Sequence, residues 1–161
     1  MGLSIRSFLW CLLLLTVAVP LWADVEPGDQ GYGLMAGAPS GVTFKYWYGE
    51  GLAVDAGAGV IGDNFGAYAT HLWHDFNLLP KPEGLQGELP FYVGLGTRAR
   101  FSKQVRWGIR TIVGVGYILA RKPLEFFAEA GPFIRVTPDA GISIDGAIGF
   151  RYYFETLRTE D

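Results

Sequence analysis

Ile142-Ser-Ile-Asp-Gly-Ala-Ile-Gly-Phe-Arg-Tyr-Tyr-Phe154 sorts its side chains by parity. Ile142, Ile144, Gly146, Ile148, Phe150, Tyr152 and Phe154 hold the even positions. Ser143, Asp145, Ala147, Gly149, Arg151 and Tyr153 hold the odd ones. Successive side chains of a β-strand point to opposite faces. One face of this segment is therefore apolar and aromatic, the other small, polar and charged.

Seven earlier segments carry the same signal, at about 31–38, 42–48, 52–61, 65–76, 89–101, 105–118 and 125–136, with 142–154 closing the series. In 105–118 the odd set runs Val105, Trp107, Ile109, Thr111, Val113, Val115, Tyr117 against Arg106, Gly108, Arg110, Ile112, Gly114, Gly116, Ile118. In 125–136 Phe126, Ala128, Ala130, Ile134 and Val136 oppose Glu125, Phe127, Glu129, Phe133 and Arg135. The separators carry turn chemistry, as in Pro39-Ser-Gly41, Gly49-Glu-Gly51, Gly62-Asp-Asn64 and Pro138-Asp-Ala-Gly141. No segment sustains a 3.6-residue period. The pattern predicts an all-β chain built from eight antiparallel strands joined by hairpins.

The chain of 161 residues is one domain by length. Arg6 followed by an apolar run from Phe8 to Val19 reads as a secretory signal, too short for a membrane-spanning helix of ~20 residues. The reading divides the chain into a signal at 1–23, a polar leader at 24–30, the barrel at 31–154 and a polar tail at 155–161. Cys11, the single cysteine, lies in the signal core, so the exported chain has no disulfide or thiolate chemistry. Of the 13 basic residues only Arg6 precedes Asp24, which leaves 12 against 16 acidic ones. That balance argues against nucleic acid as a partner.

Alternation alone fits two opposite architectures. A soluble lipocalin-like carrier turns its apolar face inward around a ligand; a membrane barrel turns it outward to lipid. The polar face carries glycine at 57, 59, 94, 96, 108, 114, 116, 131 and 149, interspersed with a few long charged side chains. A water-washed face has no use for so many strand-weakening glycines, whereas a narrow lumen needs small residues to admit large ones. Phe91 and Phe101 are ten residues apart on the apolar face, as are Trp107 and Tyr117. Ten tilted residues span roughly 25 Å, the height of an outer-membrane apolar band. These features favour an eight-stranded antiparallel up-and-down transmembrane β-barrel, with Phe91, Phe101, Trp107, Tyr117, Phe150, Tyr152 and Phe154 as a lipid-facing aromatic belt.

Several stretches also resemble a known family: Gly41-Val-Thr-Phe-Lys-Tyr-Trp47, Leu72-Trp-His74, Leu89-Pro-Phe-Tyr-Val-Gly-Leu-Gly96, Pro123-Leu-Glu-Phe-Phe-Ala-Glu129, Thr137-Pro-Asp139 and Gly149-Phe-Arg-Tyr-Tyr-Phe154. They look like a family of small bacterial outer-membrane β-barrel proteins of undetermined function. That family is similar in architecture to the eight-stranded barrels of the outer membrane protein A and X type. The resemblance implies insertion in outer-membrane lipid with help from the barrel-assembly machinery. It carries over no catalytic residue.

With the polar face inside, Lys45, Asp55, Asp75, Arg98, Arg100, Arg110, Glu129, Arg135, Asp145 and Arg151 share one lumen. Buried charges must pair, so these are expected to form an ion-pair network that plugs the barrel; a charged constriction in a conducting pore is the alternative. His71 is expected inside near Asp75, and His74 outside. A lipid-modifying hydrolase would need a serine beside His74, and Ser40, Ser102 and Ser143 lie near turns or on the polar face. The expectation is a non-enzymatic barrel with no cofactor or metal. The eight-strand count places the short loops outside the cell and the loop 77–88, with both termini, in the periplasm.

Overall fold

A computed structural model describes residues 25–154, and they are all-β. The strands are β1 (Gln30–Gly37), β2 (Ser40–Gly49), β3 (Leu52–Ile61), β4 (Asn64–Asp75), β5 (Gly87–Glu88), β6 (Phe91–Phe101), β7 (Arg106–Leu119), β8 (Leu124–Thr137) and β9 (Gly141–Phe154). β5 is a two-residue piece lying against the end of β7. The other eight pair antiparallel with their neighbours in chain order, and β1 pairs with β9 to close an eight-stranded barrel. The signal segment and the tail lie outside the described residues.

Closure fixes the barrel's geometry. Gly31 pairs with Lys45, Lys45 with Asp55, Asp55 with Thr70, Thr70 with Gly96, Gly96 with Arg110, Arg110 with Phe133 and Phe133 with Ser143. The β1–β9 register then carries Ser143 to position 41 on the line of β1, ten residues beyond the start. A stagger of ten over eight strands, at ordinary strand spacing and rise, tilts the strands by about 40° and gives a radius of about 8 Å. Such a barrel holds side chains and little else.

Parity decides which side chains those are. On β2, Thr43, Lys45 and Trp47 are buried while Val42, Tyr46 and Tyr48 are exposed; on β9, Asp145, Arg151 and Tyr153 are buried while Ile144, Ile148 and Phe154 are exposed. Glycines make room for the inward rings. A Cβ at Gly31 would fall 2.8 Å from the Tyr153 ring, and one at Gly149 would fall 2.7 Å from the ring of Phe127.

Four hairpin turns, at 38–39, 62–63, 102–105 and 138–140, lie at one end, the hairpin end, and the short turns 50–51 and 120–123 lie at the other. The other end holds Gln30, Phe154 and the loop from Phe76 to Pro90. This terminal end is sealed. Residues 25–29 fold back beneath the barrel, with Gly28 N donating to Trp47 O at 2.7 Å and Trp47 N to Asp29 O at 3.0 Å. Val25 and Phe76 then pack on the buried Trp47, Ala53, Leu72, Tyr92, Ile112 and Tyr153.

Candidate functional site

The lumen is where this sequence concentrates its chemistry. Four bases (Lys45, Arg98, Arg110, Arg151) and four acids (Asp55, Glu125, Glu129, Asp145) are buried. The interior is thus charge-balanced, which a desolvated cluster requires.

Glu125 is the hub of the largest group. Its Oε1 accepts from Lys45 Nζ at 2.8 Å; its Oε2 accepts from Tyr153 OH at 2.6 Å and Arg151 NH1 at 3.3 Å. Arg151 also donates through NH2 to Asp55 Oδ2 at 2.6 Å and through Nε to Thr43 Oγ1 at 3.1 Å, and its plane stacks 3.9 Å from the Phe127 ring centre. Tyr68 OH donates to Asp55 Oδ2 at 3.1 Å, and Trp47 Nε1 donates to Tyr153 OH at 3.1 Å. Lys45 Nζ also lies 4.4 Å from the Trp47 ring centre.

A second group adjoins the first through Tyr68, over which the Arg110 guanidinium stacks at 4.3 Å. Arg110 pairs with Glu129 and donates to Thr70 Oγ1 at 2.9 Å; Tyr92 OH donates to Glu129 Oε2 at 2.9 Å. Nearer the hairpin end, Arg98 contacts Asp145 Oδ2 at 2.6 Å and stacks 3.8 Å from the Phe133 ring centre. Arginine suits these places because its planar head can pair, donate and stack at once.

Seven of the ten residues expected in the network meet in these pairs: Lys45, Asp55, Arg98, Arg110, Glu129, Asp145 and Arg151. Asp75 does not. It is exposed at the end of β4, where Oδ1 accepts from the backbone of Asn77 and Leu78 and caps the turn. Arg100 and Arg135 point inward by parity but stop at the hairpin rim, half-buried, without a carboxylate partner among the described residues.

The histidines exchange the places expected of them. His71 faces outward beside Trp73 and shares a hydrogen bond with Tyr48. His74 faces inward, its ring 4.3 Å from Trp47 and 5.1 Å from Tyr92, with Nδ1 3.2 Å from Gly51 O. Register is the reason. Asp55 lies opposite Thr70 and Ala53 opposite Leu72, so the even residues of β4 share the luminal face.

Of the belt residues, Phe101, Trp107, Phe150 and Phe154 are exposed on the outer face, and Phe91, Tyr117 and Tyr152 lie half-buried on it. Tyr117 OH donates to Gln86 O at 2.8 Å. Sequence reasoning left out Glu125 and the hydroxyls of Thr43, Tyr68, Thr70, Tyr92 and Tyr153. The signal for Glu125 is present in its odd parity with Phe127 and Glu129, and it sits directly opposite Arg151.

No family model, curated protein or solved structure matches the chain.

The packing allows a direct test. A Cβ at Gly114 would lie 2.6 Å from Tyr92 Cε2 and OH, and that hydroxyl holds Glu129. Gly114→Val should cost about 1–3 kcal/mol, the range for overpacking a filled interior, read as a lower denaturant midpoint of the folded barrel in detergent. An unchanged midpoint would mean that the lumen has slack.

Proposed function

We propose that this chain is an integral outer-membrane β-barrel, exported by the 1–23 signal and kin to the small bacterial outer-membrane barrels it resembles. On this reading it is non-enzymatic. Its plugged lumen gives a rigid envelope element, with a small contact at the surface or on the periplasmic side.

The outer face carries the proposal. Between their ends, the eight barrel strands direct no Lys, Arg, Asp or Glu outward; the outward positions hold residues such as Leu34, Val54, Val93, Leu95, Val113 and Ile148, all exposed. Exposed apolar surface this continuous marks a face that meets something other than water. Two threonines found there are satisfied locally: Thr97 Oγ1 donates to Gly108 O at 3.0 Å, and Thr111 Oγ1 to Pro132 O at 3.1 Å. Hydrocarbon imposes that requirement and water does not. A carrier would instead need the apolar face inward, where this barrel puts ion pairs.

Two measurements test the reading. After cell fractionation the protein should stay with the outer membrane until detergent is added; recovery in the soluble fraction would sink the membrane assignment. In a planar bilayer the reconstituted barrel should show no steady conductance. Large, discrete, long-lived current steps would overturn the plug formed by the buried Glu125, Arg151 and Tyr153 and by the packing of Val25 and Phe76 beneath them.

A further inference from the structure

The hairpin end of the lumen collects four arginines, and among the described residues a carboxylate neutralises one of them. Arg98 and Arg100 on β6, Arg106 on β7 and Arg135 on β8 share the inward parity there. They are also neighbours across the sheet. Arg100 pairs with Arg106, and in the adjoining row only Gly108 separates Arg98 from Arg135. Asp145 takes Arg98, and Arg135 Nε donates to the carbonyl of Asp139 at 2.7 Å. Among the described residues, no carboxylate pairs with Arg100, Arg106 or Arg135.

The Nε atoms of Arg98 and Arg100 are buried and lack an acceptor, as does that of Arg110 deeper in the lumen. A buried guanidinium donor without an acceptor is costly, and like charges on one rim add repulsion. Deeper in the lumen every base has its acid, so the excess is confined to this mouth. Glycine keeps space beside the heads: a Cβ at Gly62 would meet Arg100 NH2 at 3.3 Å, and one at Gly141 would meet Arg135 NH2 at 2.7 Å.

The wall next to this cluster is notched. β1 ends at Gly37 opposite Ala147, and Ala38 N still reaches Gly146 O at 3.1 Å. Beyond that point residues 141–145 have β8 on one side and no strand on the other. Ile142 and Ile144 are 78% and 84% exposed, more than any other large apolar side chain described. The row Ile109, Ile134, Ile142 places this strip two residues from Trp107 of the aromatic belt.

We propose that the arginine rim binds a phosphate group, delivered by a lipid headgroup that enters sideways through the notch. Guanidinium matches phosphate with two parallel hydrogen bonds and a full charge. The notch opens at the height where a bilayer presents its headgroups, which is why the phosphate is assigned to lipid before free anion. This step rests on the membrane reading above.

The experiment uses the folded full-length barrel in phosphatidylcholine vesicles that contain a bisphosphorylated glucosamine lipid, the same lipid after phosphatase treatment, or neither. Inorganic phosphate is titrated against the barrel in neutral micelles. Native mass spectrometry should retain the phosphorylated lipid and release the dephosphorylated one. Arg100→Gln with Arg135→Gln should weaken retention at least about tenfold, while the lysine pair R100K/R135K keeps charge and recovers part of it.

Equal retention of both lipids by the unaltered barrel overturns the proposal without any variant. Binding of inorganic phosphate with no lipid preference keeps the site and overturns the lipid as its source. Vesicle flotation is scored separately. A barrel that floats with no vesicle defeats the membrane reading and with it the lipid, and the phosphate titration then decides the arginine site alone.

Discussion

Glu125→Ala is expected to destabilise the barrel by about 3–5 kcal/mol, the range for removing one partner of a buried ion pair. Glu125 is fully buried and receives Lys45, Arg151 and Tyr153. Its loss strands an ammonium where no water reaches and removes one of the two carboxylates that hold Arg151. Adding Lys45→Met should restore part of the stability, because three bases and three acids then remain in the lumen. The double variant is therefore expected above the single Glu125→Ala, a coupling of about 0.5–3 kcal/mol between neighbours. Urea unfolding in detergent, followed by tryptophan emission, reads both quantities, since Trp47 donates to the same Tyr153. Simple additivity of the two losses would show that the lumen is hydrated and that its pairs are screened from one another.

The barrel was legible because one rule, alternation, repeats across eight segments and survives small errors at their ends. Every strand found lies within a few residues of its expected range, and β5 alone was missed; two residues carry no period. Pairing was harder to read. A strand's own parity separates two faces without saying which is inner, and β4 shows the consequence. Both of its faces mix small and large residues, Ala67, Ala69 and Trp73 outside against Gly66, Tyr68, Leu72 and His74 inside. Only its register to Asp55 on β3 resolves them, and register is a property of two strands. Asp75 went the same way, from network member to turn cap.

Glu125 was lost for a different reason. It stands at the first position of its expected segment, 125–136, on the same face as Glu129, and is not among the expected luminal charges. Its burial comes from the tilt of the strands and from the leader and loop that close the terminal end beneath it, neither of which leaves a mark in the sequence of β8. The buried hydroxyls share that fate, since tyrosine on an inward face can be packing or hydrogen-bonding and the sequence does not distinguish the two.

Val113→Arg carries the second large expectation, and it separates lipid from water at the outer face. Val113 is 53% exposed near the middle of β7, flanked across the sheet by Val93 and Ala130. It lies six residues from Trp107 and four from Tyr117, midway between the aromatic bands. At the midplane of a bilayer, arginine on the lipid face costs about 2–4 kcal/mol, falling to about 0–1 near the interface. On a water-washed barrel the same change alters stability by no more than about 0.5 kcal/mol, apart from the loss of a β-branched residue, which is worth at most about 1 kcal/mol. Val105→Arg supplies the comparison, because Val105 is also about half exposed but lies in the turn before β7, beyond Trp107. Both variants are folded into phosphatidylcholine vesicles and titrated with guanidinium. A midplane loss exceeding the rim loss by about 2 kcal/mol is expected, more than the at most about 1 kcal/mol that strand propensity, in play at Val113 but not in the turn at Val105, can supply. Equal small losses at the two positions would mean that water, and not hydrocarbon, covers the face that Ile148, Phe150 and Phe154 present.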